Sequence, residues 1–510
     1  MKKSVFVLVA LAALAAGQTH RWAYRYNGPH GDLGDMVNFM HETSGGSILL
    51  GGHGIDNGLS CALLVEVSPE GTETWVGVLD SVIPWAMCRA QGGRAIVAGE
   101  RLAVSDGDGN PWNNDATIVC VTVGGGEVWR YSFDHSTPSS NEDVLRVIQA
   151  QSGNVYAIGT VNNSLCFWAL DGSNGDLLDR VEMTGPGGAN LLAGDICCSP
   201  GGDVYFSGQY LDGSNFNVLV QKYEPGGTGW ATIYDGHGYD DDAPRIAVSP
   251  SGGVIIAGYT KVDNSTSHLL VANLSPLTGN REWTYEYSFA GRGDQARDLT
   301  FDDAGNIYVT GGSTSQTTGP DFVVISLTNA GQERWVDRYA GPTFSDDYGM
   351  AIDVGGDGNI YAFGNSKGTG YNWDFCAVSL TPDGSRRWVH RYDAGDDEFV
   401  NPQCGLYAAD GNIYIGGSGD GGAGGVQMLL ESANPAAGIA EQSKTAARRV
   451  PGATIVRGTL RLGAGPAALY AADGSKVRDL AVGENDLSDV APGAYIVRTG
   501  TEARPLRLVR

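Results

Sequence analysis

Long apolar runs are missing from this chain once its first residues are passed. After Ala16 no stretch of about 18 apolar residues occurs, so no later segment reads as a membrane-spanning helix. Positive charge is scarce as well: 33 Lys and Arg stand against 58 Asp and Glu, for a net charge of −25. A surface that acidic repels phosphate backbones and excludes nucleic acid as a partner. Cysteine is sparse, eight residues in 510, and lacks the spacing of a disulfide framework. Cys61, Cys120, Cys166 and Cys376 fall at or near equivalent positions in apolar strands and read as small buried thiols. The eight His are scattered, without HExxH or a zinc-type pair, and no G-x-S-x-G elbow, P-loop or strand-bound dinucleotide glycine motif is present. Helical periodicity is absent too, since apolar stretches are short, β-branched and ended by Gly, Asn, Asp or Pro.

Glycine is abundant, at 76 residues without a three-residue period, which means many tight turns and many short strands. Hydrophobic residues make up 42% and charged residues 18%, enough to bury a large core. Met1-Lys2-Lys3, the apolar run from Val5 to Ala16 and the small residues Ala15-Ala16-Gly17 have the form of a secretory leader, with maturation expected near Gln18. The expected address is therefore secreted or outer cell surface, with no membrane span in the mature chain.

Three landmarks recur. A turn leads into a β-rich run that ends in Gly, as in GNVYAIG at Gly153, GNIYVTGG at Gly305 and GNIYIGG at Gly411, eight copies in all. An apolar strand such as FVVISL from Phe322 follows. Then comes Trp with a large residue four positions on: Trp22/Tyr26, Trp75/Leu79, Trp129/Phe133, Trp230/Tyr234, Trp283/Tyr287, Trp335/Tyr339 and Trp388/Tyr392. The unit repeats about every 52 residues, and one copy, LLDRVEM from Leu177, has lost its Trp. Residues four apart in a strand share a face, so each unit reads as a four-stranded sheet that must stack on its neighbours to bury both faces.

The ends of the repeat carry the topology. The mature chain opens on a lone Trp strand, Trp22 to Tyr26, and the last unit, Gln403 to Leu430, has none. Closure of a ring by that first strand is expected, since an open stack would leave two bare edges. The fold class is thus all-β, an eight-bladed β-propeller, or seven-bladed if the irregular stretch near Cys88 is not a blade. Expected boundaries are a leader at 1–17, the propeller at 18–432, a linker at 433–450 and a small antiparallel β-sandwich at 451–510. That last region is mildly basic, roughly 11 basic against 7 acidic groups, so the acidity sits in the body. Short turns such as Asp302–Asn306 should lie on one face of the ring, and the long, varied loops on the other.

Two resemblances follow from these residues. The D…G-N-x-Y-x-x-G…L…G…W units resemble the bacterial SBBP β-propeller repeats used in many extracellular proteins. The order LYAADGSKVRDL, APGAYIVR and a basic apolar finish resembles the C-terminal sorting domain of type IX secretion cargo, although an opening Asn-Pro element is absent before Gly452. The second resemblance implies that secretion machinery reads residues 451–510. In its Trp-bearing repeats the chain also resembles eight-bladed quinoprotein dehydrogenases, some of which carry a vicinal disulfide beside the cofactor, but here ICCSPGGDVY with Cys197-Cys198 aligns with LTFDDAGNIY, which puts the pair in an ordinary inner strand.

Candidate site residues are few. An acid recurs about eleven positions before the turn glycine, at Asp35, Glu142, Asp241, Asp294 and Asp347, with Asp397 slightly displaced. On the loop face these carboxylates would hold a ligand or cation; structurally, each would accept backbone N–H bonds where one blade enters the next. Asp106, Asp108, Asn110 and Asp115 place oxygen ligands as a calcium loop does, although Pro111 replaces the sharp-turn glycine and no Glu stands at the twelfth position. No cofactor is otherwise required. The expected activity is non-enzymatic binding of a protein or polysaccharide on the loop-rich face. The alternative is an extracellular enzyme acting on glycans through a carboxylate pair in the central mouth.

Overall fold

In the computed structural model the described residues are 20–26, 35–56, 59–102, 114–134, 142–185, 188–290, 292–315, 319–341, 345–368, 373–392, 400–420, 426–433 and strand segments between 454 and 508. The expected leader, 1–17, and residues 434–450 of the expected linker lie outside them. The chain forms two compact units, Met1–Ser443 and Lys444–Arg510. The first is eight four-stranded antiparallel sheets, and no α-helix occurs among the described residues.

Seven sheets run in simple sequence order from first strand to fourth. Their first strands are Phe39–Glu42, Val82–Ala90, Glu142–Gln149, Leu191–Cys198, Asp241–Val248, Asp294–Phe301 and Asp347–Val354; the eighth sheet begins with Val400–Tyr407. Each first strand touches the first strands on either side, and Val400–Tyr407 touches Phe39–Glu42, so the eight form a closed inner wall. The stretch around Cys88 is the first strand of a complete blade, which fixes the count at eight. In blade 8 the strands Val400–Tyr407, Ile413–Asp420 and Val426–Ala433 come from the end of the repeat, and His20–Tyr26 supplies the fourth. Tyr26 lies opposite Met428, Tyr24 opposite Leu430 and Trp22 opposite Ser432. The first strand of the chain closes the ring, in a register reaching a little past Leu430.

A bulge interrupts seven of the eight inner strands near the middle, for example between Ala296 and Asp298 and between Gly349 and Ala351. It explains the glycine that ends each β-rich run. A Cβ on Gly311 would lie 2.0 Å from the Gln295 carbonyl oxygen, and one on Gly364 would lie 1.9 Å from that of Tyr348. Only hydrogen fits there.

Every core cluster spans two blades. Tyr308, Phe322 and Val324 of blade 6 pack on Ile352, Ile360, Cys376 and Val378 of blade 7, all buried. Burial of each such side chain contributes roughly 1.5–3 kcal/mol. The recurrent Trp works across the same seam, through the turn between the third and fourth strands of the next blade. Its indole N–H donates to a carbonyl there: Trp22 to Pro69 at 2.9 Å, Trp129 to Gly172 at 3.0 Å, Trp230 to Pro276 at 3.0 Å, Trp283 to Asn329 at 3.2 Å and Trp335 to Pro382 at 3.0 Å. The ring packs over the glycine of that turn. Where blade 3 has lost its Trp, Asp179 stands in its register position. Its carboxylate accepts the Tyr223 hydroxyl at 2.8 Å and faces the Gly226 N–H of the next blade's turn.

The four cysteines expected to be buried are buried in third strands. The short turns join first to second and third to fourth strands, so they share one face. The loops that join second to third strands and one blade to the next share the other.

In the second unit, Thr454–Val456, Glu502–Leu508, Gly493–Thr499, Ala467–Ala471 and Lys476–Leu480 form a five-stranded sheet in that order, and Thr459–Leu462 pairs with Gly483–Asp486. The Thr454–Val456 pairing is parallel; the rest are antiparallel.

Gly331 tests the seam. It has φ of +75°, and a Cβ there would lie 2.5 Å from the Trp283 ring, whereas Gly305 has φ of +79° and only Asn329 Cβ, at 3.8 Å, nearby. Gly305→Ala is expected to cost the backbone term alone, on the order of 1–2 kcal/mol. Gly331→Ala should cost clearly more, read as a lower midpoint in urea unfolding; equal midpoints would remove the role assigned to the indole contact.

Candidate functional site

Four of the recurrent acids, Glu142, Asp241, Asp294 and Asp347, come first in their strands, and Asp35 stands just before Phe39–Glu42. Asp35, Glu142, Asp241, Asp294 and Asp347 are all buried. In three blades the carboxylate accepts a backbone N–H from the connecting loop just before it: Asp241 from Gly236 at 2.8 Å, Asp294 from Phe289 at 3.2 Å and Asp347 from Gly341 at 2.6 Å. Ser313 also donates to Asp294. These contacts are the ones that tie blade to loop. Asp397 lies outside the described residues.

Of the calcium candidates, Asp106, Asp108 and Asn110 also lie outside the described residues. Asp115 is described, half-buried at the start of a third strand. It meets two carboxylates that the sequence spacing did not connect with it. Oxygens of Asp115, Asp134 and Glu142 all lie within 4.8 Å of one another, where blade 2 passes into blade 3.

The inner wall carries a chain of opposite charges. Arg146 lies 3.4 Å from Asp195, which accepts the Ile246 N–H of the next blade at 3.1 Å. Arg245 lies 3.1 Å from Asp298, which accepts the Ile352 N–H at 2.9 Å. Asp353 in turn accepts the Tyr407 N–H at 3.0 Å. Burial raises the carboxyls of Asp298 and Asp353, but each already serves a neighbouring strand. Asp143, pushed up to about 6 by burial, accepts the Thr160 N–H at 2.8 Å.

Two clusters on the loop face escaped the reading of the sequence. In blades 6 and 7 the second residue of the third strand is an Asp paired with the Arg three places beyond the Trp: Asp321 with Arg338 at 2.6 Å, and Asp374 with Arg391 at 2.5 Å. Blade 5 reverses the charges. His268 and Glu286 hold those positions, and His237 joins them from the preceding loop; the two imidazoles lie 3.0 Å and 3.1 Å from the same carboxylate oxygen. Burial alone would raise Glu286, but hydrogen bonds to His268 and His237 outweigh it and hold the carboxyl below its ordinary range. Aligning the repeats on Trp would have exposed this exchange.

The second cluster lies where blade 6 meets blade 7. Tyr348 and Trp373 approach with ring centroids 5.9 Å apart. Arg297 sits over the Tyr348 ring at 4.8 Å and Lys367 over the Trp373 ring at 5.5 Å. All four side chains are half-buried.

The buried acids make stability depend on pH. Burial pushes Asp241 and Asp347 up to about 6, against roughly 3.9 for an unfolded chain. Between those values the folded state takes up a proton that the unfolded state does not, so stability rises as the pH falls from 6 to 4 and is lost as it rises again. Asp347→Asn should flatten that rise by on the order of 2 kcal/mol, measured as the difference in unfolding free energy between pH 7 and pH 4. Parallel profiles for variant and parent would contradict it.

Residues 282–316, the last seam of blade 5 and the first half of blade 6, match the family described as SBBP, β-propeller repeat. No curated protein matches the chain in sequence. Among solved structures, the chain is similar to the Dos1 propeller at TM-score 0.51 and 10% identity, over 81% of this chain and 95% of that one. It is similar to a quinohemoprotein alcohol dehydrogenase from Comamonas testosteroni at 0.48 and 10%, over 84% and 78%. The polysaccharide lyase Uly1 follows at 0.43 and 12%, over 69% and 90%. At such identities the likeness concerns the fold and assigns no activity. The chain is an eight-bladed β-propeller that carries an SBBP-type repeat.

Proposed function

We propose that this chain is an extracellular binding protein whose loop-bearing face takes a polysaccharide or protein ligand without chemical turnover. The carrying observation is the cluster of Tyr348, Trp373, Arg297 and Lys367 on that face, aromatic surface and donors together in a half-buried setting. The inner-wall carboxyls raised by burial support the same reading. Asp298 and Asp353 are committed to backbone N–H groups of the next blade, rather than paired across a cleft for acid–base work. Export is part of the proposal: residues 1–17 act as a leader, and residues 451–510 form a β-sandwich read by type IX-like secretion machinery that delivers the protein to the outer surface. The five-stranded sheet built from strands between Thr454 and Leu508 supports that role.

Glycan-array and surface pull-down experiments with the full chain test this. Retention of glycan or protein that is lost on substituting Trp373, with no new reducing ends released, is the expected outcome. Release of reducing ends from a bound glycan would favour the hydrolytic or lyase alternative.

A second reading concerns calcium. The meeting of Asp115, Asp134 and Glu142 favours a cation at the passage from blade 2 to blade 3, with Asp106, Asp108 and Asn110 as further ligands. Calorimetric titration of calcium into chelator-treated protein should give a saturating heat that Asp115→Asn weakens; no heat at millimolar calcium would end the idea.

A further inference from the structure

In seven of the eight inner strands a bulge takes in one position of the repeat, the third after the strand's opening residue. Arg297 holds that position in blade 6. Its seven counterparts, from Asn38 and Trp85 to Met350 and Gln403, are all uncharged. Arg297 is therefore the one charge at this place in the eight repeats, although the next residue of the repeat is charged in several blades, as at Arg146, Asp195 and Arg245. Its neighbours do little to satisfy it. The hydrogen bond it makes runs to the Met350 thioether sulfur at 3.0 Å, a weak acceptor, and the Tyr348 ring covers one side of the guanidinium. Among the described residues no carboxylate pairs with it, although the chain holds 58 acidic residues and the adjacent Asp298 is taken by Arg245. Burial pulls Arg297 below its ordinary range, with no counter-ion to restore it.

A half-buried guanidinium without a carboxylate beside it leaves donors for a group outside the chain to complete. Its planar fork matches a carboxylate bidentately. What surrounds it is aromatic. Tyr348 and Trp373 present adjoining rings toward the loop face, and across the ring, four blades away, Trp85 holds the same bulge position and is 42% exposed. Such surfaces take the apolar face of a sugar ring, where a peptide would need backbone partners as well. The number of charges limits the ligand further. One cation matches one anion, and a polyanion would be repelled by a body of net charge −25.

Building on the binding role proposed above, we infer that the channel mouth at blades 6 and 7 recognises an oligosaccharide bearing a single carboxylated sugar, with Arg297 on the carboxylate and Tyr348 and Trp373 against the sugar faces.

The test uses the full chain and two trisaccharides alike except for the terminal residue, one ending in glucuronate and the other in glucose, with affinities measured by calorimetry. The parent should bind the acidic trisaccharide at least about tenfold more tightly, the worth of a hydrogen-bonded charge pair. Arg297→Met should erase that preference, weakening the acidic trisaccharide at least about tenfold more than the neutral one, with the thermal midpoint unchanged. Trp373→Ala should weaken both trisaccharides alike. Equal affinity for the two in the parent, a preference that survives Arg297→Met, or equal binding of a short acidic peptide would each overturn the inference. If neither trisaccharide binds while the array returns another ligand, this inference fails and the binding role stands; if the array also returns nothing, both fail.

Discussion

Each blade of the propeller has two apolar faces and no layer of its own to cover them, so the ring depends on the contact between one blade and the next. The indole of one blade's fourth strand laid over the glycine turn of its neighbour is that contact in its most regular form. It fixes distance, through a ring that packs where any Cβ would collide. It fixes orientation too, through an N–H that finds a carbonyl in the same turn. On the inner side, Asp195, Asp298 and Asp353 do the same work with carboxylates on the next strand's backbone. A stack held this way has no natural end. It must close, and the strand His20–Tyr26 closes it.

Most of this was legible because it repeats. The Trp-and-Tyr spacing, the glycine-ended runs and above all the unpaired Trp strand from Trp22 to Tyr26 led to an eight-bladed ring closed by that strand. Each signal is local: a residue type forced by a turn, a close approach or an exposed edge. Blade 3 shows the boundary of that logic. The loss of its Trp was visible, but not that Asp179 would reach the same turn by a different chemistry. The recurrent acids were visible too, and the structure adds that Asp241, Asp294 and Asp347 accept N–H groups from the loops that precede them.

The clusters that set blades apart were hidden for the opposite reason. Arg297 means nothing in DQARDLTF until the bulge puts it at the channel, beside Tyr348 of the following blade. His237, His268 and Glu286 come from three strands and loops of blade 5 and its junction, so no spacing brings them together. Repetition builds the scaffold, and departures from repetition mark where the blades stop being equivalent. Where acids such as Asp241, Asp294, Asp298 and Asp353 are already committed to backbone partners, those departures are where recognition has room to act.

Closure is the claim on which the rest stands, and native-state hydrogen exchange followed by mass spectrometry reads it directly. If the ring is sealed as described, amides of residues 20–26 and 428–433 exchange together and only with the global opening of the propeller, as slowly as strands in blade 5. Rapid exchange of residues 20–26 while blade 5 stays protected would contradict the account, for it would mean that the circle stands open at blade 8.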